Sequence, residues 1–472
     1  MYTKIKQVYI LPAIILIFIS FSPSIASADS VKLLEDPHEA WQARIDLIEQ
    51  AQDTIEVEYY AIEPDTAGKI FIGSLYEAAN RGVKVRILIG GLTHSTIPDE
   101  AIGVLIQHPN IELRFHNTLE KWYKPSHWLK ALHDKVLLVD DKYLISGGRN
   151  IADKYFDMTP PEKQQTIDRD VLFVGAENSD NIPMQVKKYF NNLWMSRYVS
   201  LTPTENHITK PCKGTPRFLY NDFIICTYDK WKLSNKIPQT KEDLQIFLNQ
   251  YKQEHPEQFD TKTNWAQQTQ PVNSIRFAHD PTDVPKTYKN GTSLALATEL
   301  RNAKKSILYF TPYIVKTRSF LETAEIAKQN GVKQTVLTNS AYSGANVFGM
   351  AGTELDYKDF HSSGLEYWTW QGFHSMHHKT YIIDNHITIS STFNYDPRSQ
   401  NLNTEMLFII DDADFTKIVQ EANQVLFDNA LQLDTQGNTI PRDDVTEEST
   451  TFIDNIIMFL AKIPFPIIRW AI

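Results

Sequence analysis

Short apolar runs alternate along this chain with stretches in which apolar residues recur every three or four positions, the pattern of strands and amphipathic helices taken in turn. Residues 54–60 read as a strand, 65–80 as a helix and 82–88 as the next strand. The same order returns at Ser306–Phe310, Arg318–Gln329 and 331–337. Gly82 and Gly331 stand where a helix C-terminus needs a left-handed residue. Strands alternating with helices of this length predict two α/β halves, each a mixed, mostly parallel sheet flanked by helices. Residues 202–283 are rich in Asn, Gln, Lys and Pro and lack sustained period, so they read as a connecting segment with a helix near 241–254.

The halves are copies. His133-Asp134-Lys135 is followed by an apolar run to Asp140 and by Gly147-Gly-Arg-Asn150; His377-His378-Lys379 is followed by a like run to Asp384 and by Ser391-Thr-Phe-Asn394. His, Lys, Asp and Asn recur at one offset of 244 positions (133 to 377, 135 to 379, 140 to 384, 150 to 394). At residue frequencies near one in twenty, four such matches arise by chance roughly once in 10^5 per offset tried. The expected division is 29–201 for the first half, 202–283 for the connector, 284–435 for the second half and 436–472 for a tail.

At 472 residues the chain exceeds what one core supports, and 42% hydrophobic with 22% charged residues describes an ordinary globular protein. The formal charge of -10 disfavours a polyanion-binding enzyme, which carries a basic footprint, so no nucleic-acid partner is expected. Residues 1–28 have the layout of a secretory signal: Lys4 and Lys6, an apolar run, then Ala26-Ser27-Ala28. Export to the periplasm or the medium is expected; an uncleaved anchor is disfavoured by Pro12 and Pro23. Cys212 and Cys226 could pair in an exported chain or remain thiols. The apolar stretch from Phe452 to Ile472 is too interrupted by Lys462, Pro464, Pro466 and Arg469 to span a bilayer, and reads either as a membrane-interfacial element or as a strap on the core.

A single His-x-Lys is commonly two polar residues on a half-exposed strand. Two copies at one spacing, each followed by a turn ending in Asn, point to catalysis. A phosphodiester needs its anionic oxygens held, its phosphorus attacked and its leaving alkoxide protonated. Lys135, Lys379, Asn150 and Asn394 are candidates to hold the oxygens. Of His133 and His377, one neutral ring would attack phosphorus and the other, protonated, would donate to the leaving group. Each ring also needs a carboxylate to fix its tautomer, and Asp170 and Glu405 follow the two motifs at suitable distances. Asp140 and Asp384 close their strands and are assigned structural roles. No carboxylate-rich metal site is evident, and neither a metal nor another cofactor is expected.

These residues resemble the twin His-Lys-Asp motifs of the phospholipase D superfamily across nearly all of the chain after the leader. The turns Gly147-Gly-Arg-Asn-Ile-Ala-Asp153 with Tyr155-Phe156, Asn394-Tyr-Asp-Pro-Arg-Ser399 with Leu402 to Met406, and Thr338-Asn-Ser340 are similar to those of short, two-motif bacterial cardiolipin synthases that lack N-terminal transmembrane helices. The resemblance implies halves packed about a pseudo-twofold axis, one cleft holding both His-x-Lys strands, no required metal, and His133 as nucleophile with His377 as acid. It implies glycerophospholipid substrates at a membrane surface, with phosphatidyl transfer as the reaction. A secreted phospholipase D releasing phosphatidic acid is the alternative, and an exported phosphodiesterase or nuclease a third reading. Trp122, Tyr123 and Trp128 before the first motif suit a lipid-facing rim or ordinary packing.

Overall fold

A computed structural model describes residues 28–91, 97–117, 130–160, 164–199, 209–211, 225–227, 230–260 and 262–471. Residues 1–27 of the leader, the Trp122, Tyr123 and Trp128 group and Cys212 lie outside the described residues.

Two eight-stranded sheets carry the fold, and they share one strand order. In the first, Ser30–Leu34, Asp170–Val174, Tyr143–Gly147, Lys135–Val139, Thr54–Tyr59, Lys84–Gly90 and Ile111–His116 lie side by side. In the second the corresponding run is Ser274–His279, Met406–Asp411, Ile387–Ser391, Lys379–Ile383, Ser306–Phe310, Lys333–Asn339 and Leu365–Trp370. Gln270–Pro271 extends the first sheet at one edge and Ala430–Gln432 the second at the other.

The α/β halves are as the periodicity predicts, but the sheets are not mostly parallel. Within these two sheets only the strands flanking the helices Thr66–Asn80, Asp99–Ile106, Arg318–Gln329 and Val347–Ser362 run parallel; the other pairings in the two sheets are antiparallel. The cause is local. Asp140 and Asp141, and Asp384 and Asn385, take φ between 51° and 57°, a left-handed pair that opens a three-residue hairpin turn, since Val139 pairs with Tyr143 and Ile383 with Ile387. Each His-x-Lys strand therefore returns at once beside itself instead of crossing over through a helix.

Two segments fall differently from the expected boundaries. Ser274–His279, assigned above to the connector, pairs along its length with Met406–Asp411 and forms the edge of the second sheet. The connector helix is longer than expected, Lys230–Glu254 with Pro238 inside it. Its many Gln, Asn and Lys residues hide the few that anchor it: Ile237 against Gly103, where an added side chain would collide, and Leu248 against Gly73, where it would crowd.

One core lies between the halves. Leu88, Val136, Phe173, Phe310, Ile382 and Phe408 belong to a single buried cluster, with the rings of Phe173 and Phe408 4.6 Å apart. Burying several large side chains across this seam, at about 1.5–3 kcal/mol each, fixes the halves as one body and sets the precision of anything built at their junction.

Candidate active site

Each His of the repeated motif sits one step outside its own sheet, in a short bridge to the other half. Leu132 pairs with Thr404, and the His133 N–H donates to Thr404 Oγ1 at 3.2 Å. Reciprocally, Ser375–Met376 pairs with Thr166–Ile167, and the His377 N–H donates to the Ile167 carbonyl at 2.8 Å. The residue after each bridge partner is a carboxylate. Glu405 lies 2.9 Å from His133 Nδ1, and Asp168 lies 2.6 Å from His377 Nδ1. Each half thus supplies a histidine to its own motif and the orienting carboxylate to the other.

This corrects one assignment. Asp170 does not reach a histidine: it is buried under Arg44 (2.7 Å) and Arg149 (3.2 Å) inside the first half. The ring-orienting residue is Asp168, two positions earlier. The sheet register shows why: Gly147 opposes Asp170 and its counterpart Ser391 opposes Leu407, so Glu405 corresponds to Asp168.

The lysines begin their strands, so strand direction carries each ammonium back toward the histidine two residues before it. Lys135 Nζ donates to the His133 carbonyl at 2.6 Å, and Lys379 Nζ to that of His377, with the His377 ring nitrogens at 2.9 and 3.1 Å. Both lysines are 1% exposed. The intervening residues face away: Asp134 accepts the Tyr189 hydroxyl at 2.6 Å, while His378 is buried against Phe310.

Asn150 Nδ2 donates to the Tyr155 hydroxyl (3.3 Å) and Asn394 Nδ2 to that of Tyr313 (3.1 Å). Each amide thereby spends one N–H and keeps a second for a ligand, while neither Oδ1 has a partner among the described residues. Asp140 and Asp384 stand away from the histidines. Asp140 accepts the N–H groups of Gln52, Asp53 and Thr54, and Asp384 those of Lys304, Lys305 and Ser306, tying each hairpin to the start of the neighbouring strand.

Crowding four basic side chains in a buried place moves their protonation. Burial, then Lys135 and Lys379, hold His133 well below its usual value; burial and then Lys379 lower His377 to about 4, against the opposing pull of Asp168. Burial likewise lowers Lys135 to about 8 and Lys379 to about 7. Burial also raises Glu405, whereas at Asp168 burial is outweighed by His377, Lys379 and Arg149, which hold that carboxyl below its ordinary range. Both imidazoles are therefore neutral at rest, and the lysines are poised to regain full charge when an anion arrives.

His133 and His377 open onto one cavity of about 450 Å³, whose wall includes Asn394, Lys154 and Arg398. Among the described residues no three His, Cys, Asp or Glu side chains gather as a metal site. Several neighbours escaped the sequence reading. Lys154 and Arg398 stand four residues beyond Asn150 and Asn394, at the same 244 offset, which is the signal that would have found them. Asp280 accepts the Glu405 N–H at 2.8 Å and pairs with Lys286, which also holds the carbonyls of Ser399 and Asn403. These two brace the loop bearing Glu405, and no repeat announces them.

A family model described as cardiolipin synthase, PLD-like domain, matches residues 45–194 and 296–426, which take in both motifs and both carboxylates. Cardiolipin synthase C of Escherichia coli is 26% identical over 438 residues, covering 85% of each chain. An uncharacterized protein of Helicobacter pylori is 28% identical over 423 residues, 82% of this chain and 77% of its own. Among solved structures, phosphatidylserine synthase of Haemophilus influenzae shares the fold at a TM-score of 0.64 and 14% identity, over 94% of this chain and 97% of its own.

Proposed function

This chain belongs to the phospholipase D-like family described by cardiolipin synthase, and on that premise we propose that it is a phosphatidyltransferase acting on glycerophospholipids through a phosphohistidine. The reciprocal bonds His133–Glu405 and His377–Asp168, both rings facing one cavity, carry the reading.

With its Nδ1–H held by Glu405, neutral His133 presents the Nε2 lone pair to phosphorus. The P–N bond forms as the P–O bond to the headgroup breaks, and the departing alkoxide takes the proton of His377. His377, neutral in the free protein, takes up that proton when the anionic phosphodiester binds and offsets the charge of the lysines, and Asp168 then stabilises its charged form. In the second half-reaction an acceptor hydroxyl gives its proton back to His377, its oxygen attacks phosphorus, and the P–N bond breaks. Lys135, Lys379 and the spare amide N–H groups of Asn150 and Asn394 hold the phosphoryl oxygens throughout. His133 is the better nucleophile candidate because its side chain is 9% exposed against 26% for His377, which leaves His377 nearer the exchangeable alcohol.

Phosphatidylglycerol as acceptor would give cardiolipin, and water phosphatidic acid. Lys154 and Arg398, cations on the wall of the cavity, favour an acceptor bearing a phosphate of its own. The leader composition supports action after export. The test incubates the purified protein with labelled phosphatidylglycerol in mixed micelles and resolves products by mass. Cardiolipin is expected; phosphatidic acid alone would make the protein a hydrolase, and no turnover of any glycerophospholipid would overturn the proposal.

A further inference from the structure

The final helices carry their apolar side chains outward. A helix on the surface of a folded domain normally turns an apolar stripe to the core. In Phe452–Lys462, begun by a capping box between Thr451 and Asp454, only Ala461 is buried. Phe452 is 80% exposed, Phe459 66%, Ile463 63% and Ile467 78%, and Ile453, Leu460 and Trp470 are exposed beside them. The segment is nonetheless fixed. Phe465 is fully buried against Val315 and Gly352, Lys462 pairs with Glu354, and Arg469 reaches Asp356 at 2.8 Å. A strap would hide these side chains; this one is clamped by a few residues and displays the rest.

We propose that 452–470 is a lipid-surface anchor, lying in the boundary between headgroups and acyl chains and holding the catalytic cavity against the bilayer. Length sets the mode of contact: 11 helical residues span about 16 Å at 1.5 Å per residue, half the hydrocarbon core, so the helix lies in the surface and does not cross it. No helix among the described residues is long and apolar enough to cross. Composition agrees, with Phe, Ile and Leu forming the displayed surface and Trp470 beside Arg469 at its end.

Placement supplies the independent argument, and it rests on the phospholipid reading above. Phe465 shares its buried cluster with Tyr313, the hydroxyl partner of Asn394. Pro466, Arg469 and Trp470 line a groove with Pro397, and the next residue, Arg398, lines the catalytic cavity. Phe348, 42% exposed at the start of the helix on which the tail packs, lines that cavity too. Apolar surface therefore runs from the cavity rim to the tail, where a two-chain lipid leaving a bilayer would need it. Lys462 and Arg469 are already paired and the whole chain is acidic, so the contact is driven by apolar burial and tolerates salt.

The test sediments the full-length protein with phosphatidylcholine vesicles containing about a third phosphatidylglycerol, at low and high salt. The variant joins Phe452→Ser, Phe459→Ser, Ile463→Ser and Ile467→Ser, all exposed positions. Wild type is expected to sediment in both salts, and the variant to lose binding more than tenfold while its melt and its turnover of a monomeric short-chain phospholipid stay unchanged. Equal binding by the variant would overturn the anchor. So would light scattering that shows a lipid-free dimer converted to monomer by the variant with vesicle binding intact, because the surface would then be a self-contact. Vesicle binding lost in the variant, in a protein that turns over no phospholipid, would sustain the anchor and remove the reaction assigned above.

Discussion

His133 Nδ1 lies 2.9 Å from both carboxylate oxygens of Glu405, a residue 272 positions later and in the other half of the molecule. Asp168 returns the relation to His377. The duplication thus produced no two independent sites: neither half contains a histidine and the carboxylate that orients it. The same exchange explains why the seam between the halves is a packed core, since an ångström of slip there would misdirect both rings.

The exchange predicts which acidic residues govern rate. Asp168→Asn and Glu405→Gln keep shape but remove the charge that fixes each tautomer, and should lower kcat by about 10²–10⁴-fold with small change in KM. Asp170→Asn should instead lower the melting temperature, because Arg44 and Arg149 would remain buried beside a neutral amide. Steady-state kinetics with thermal melts on the three variants checks this. Full activity in Asp168→Asn would sink the crosswise model.

Asp384 closes the second hairpin at φ 55° and accepts three backbone N–H groups, with Asp140 its counterpart at φ 51°. Asp384→Ala loses those acceptors and places alanine in a left-handed turn, a cost of about 1–3 kcal/mol. The expected result is a melting temperature lower by several degrees with kcat within about twofold below the transition. A large loss of kcat in a protein that melts normally would move Asp384 into the chemistry.

Much of this was legible in the sequence because the repeat preserves it. His, Lys, Asp and Asn keep one offset, since the hairpin from His133 to Asn150 and that from His377 to Asn394 have equal length. The orienting carboxylates break the offset: 168 to 405 is 237, because the segment after the first Asn is seven residues longer. With that register lost, Ile-Asp-Arg-Asp offers two carboxylates, and the sheet register together with the pairing of Ile167 with Met376 singles out the first. Periodicity predicts mostly parallel sheets because it reports strands and helices but not the short turns, 140–142 and 384–386, that reverse direction. Ser274–His279 alternates as an edge strand should, yet its polar surroundings concealed it.

The residue between His and Lys makes a separate prediction. His378 is buried, and neither ring nitrogen has a partner among the described residues. Burial and then Arg169 hold its pKa well below the usual 6.5. Below pH 6.5 the unfolded chain protonates this ring while the folded chain does not, so His378 costs stability that grows as pH falls. His378→Phe should raise the melting temperature, more at pH 5.5 than at pH 7.5, with kcat preserved; His133 and His377 contribute equally to both proteins and cancel. A lower melting temperature at both pH values would mean that the ring makes a bond worth keeping.

The lysines set the alkaline limit. Burial lowers Lys379 to about 7 and Lys135 to about 8, so in the free protein the first loses its charge through neutrality and the second just above it. A bound phosphodiester restores both ammonium groups, and by linkage its affinity must fall as pH rises past those values, because binding then requires proton uptake. A short-chain phosphodiester, singly charged across the range, should raise the melting temperature markedly at pH 6.5 and little at pH 9. The value of kcat/KM, already falling about tenfold per unit because the free His377 must take up its proton, should steepen by a further factor of about ten per unit past pH 7 and again once Lys135 is neutral. Lys379→Met should remove the first of these breaks and leave the steepening to begin at the value of Lys135. A slope unchanged from pH 6 to 9.5 would mean that the ammonium groups do not hold the phosphate, and the site would need another cation in their place.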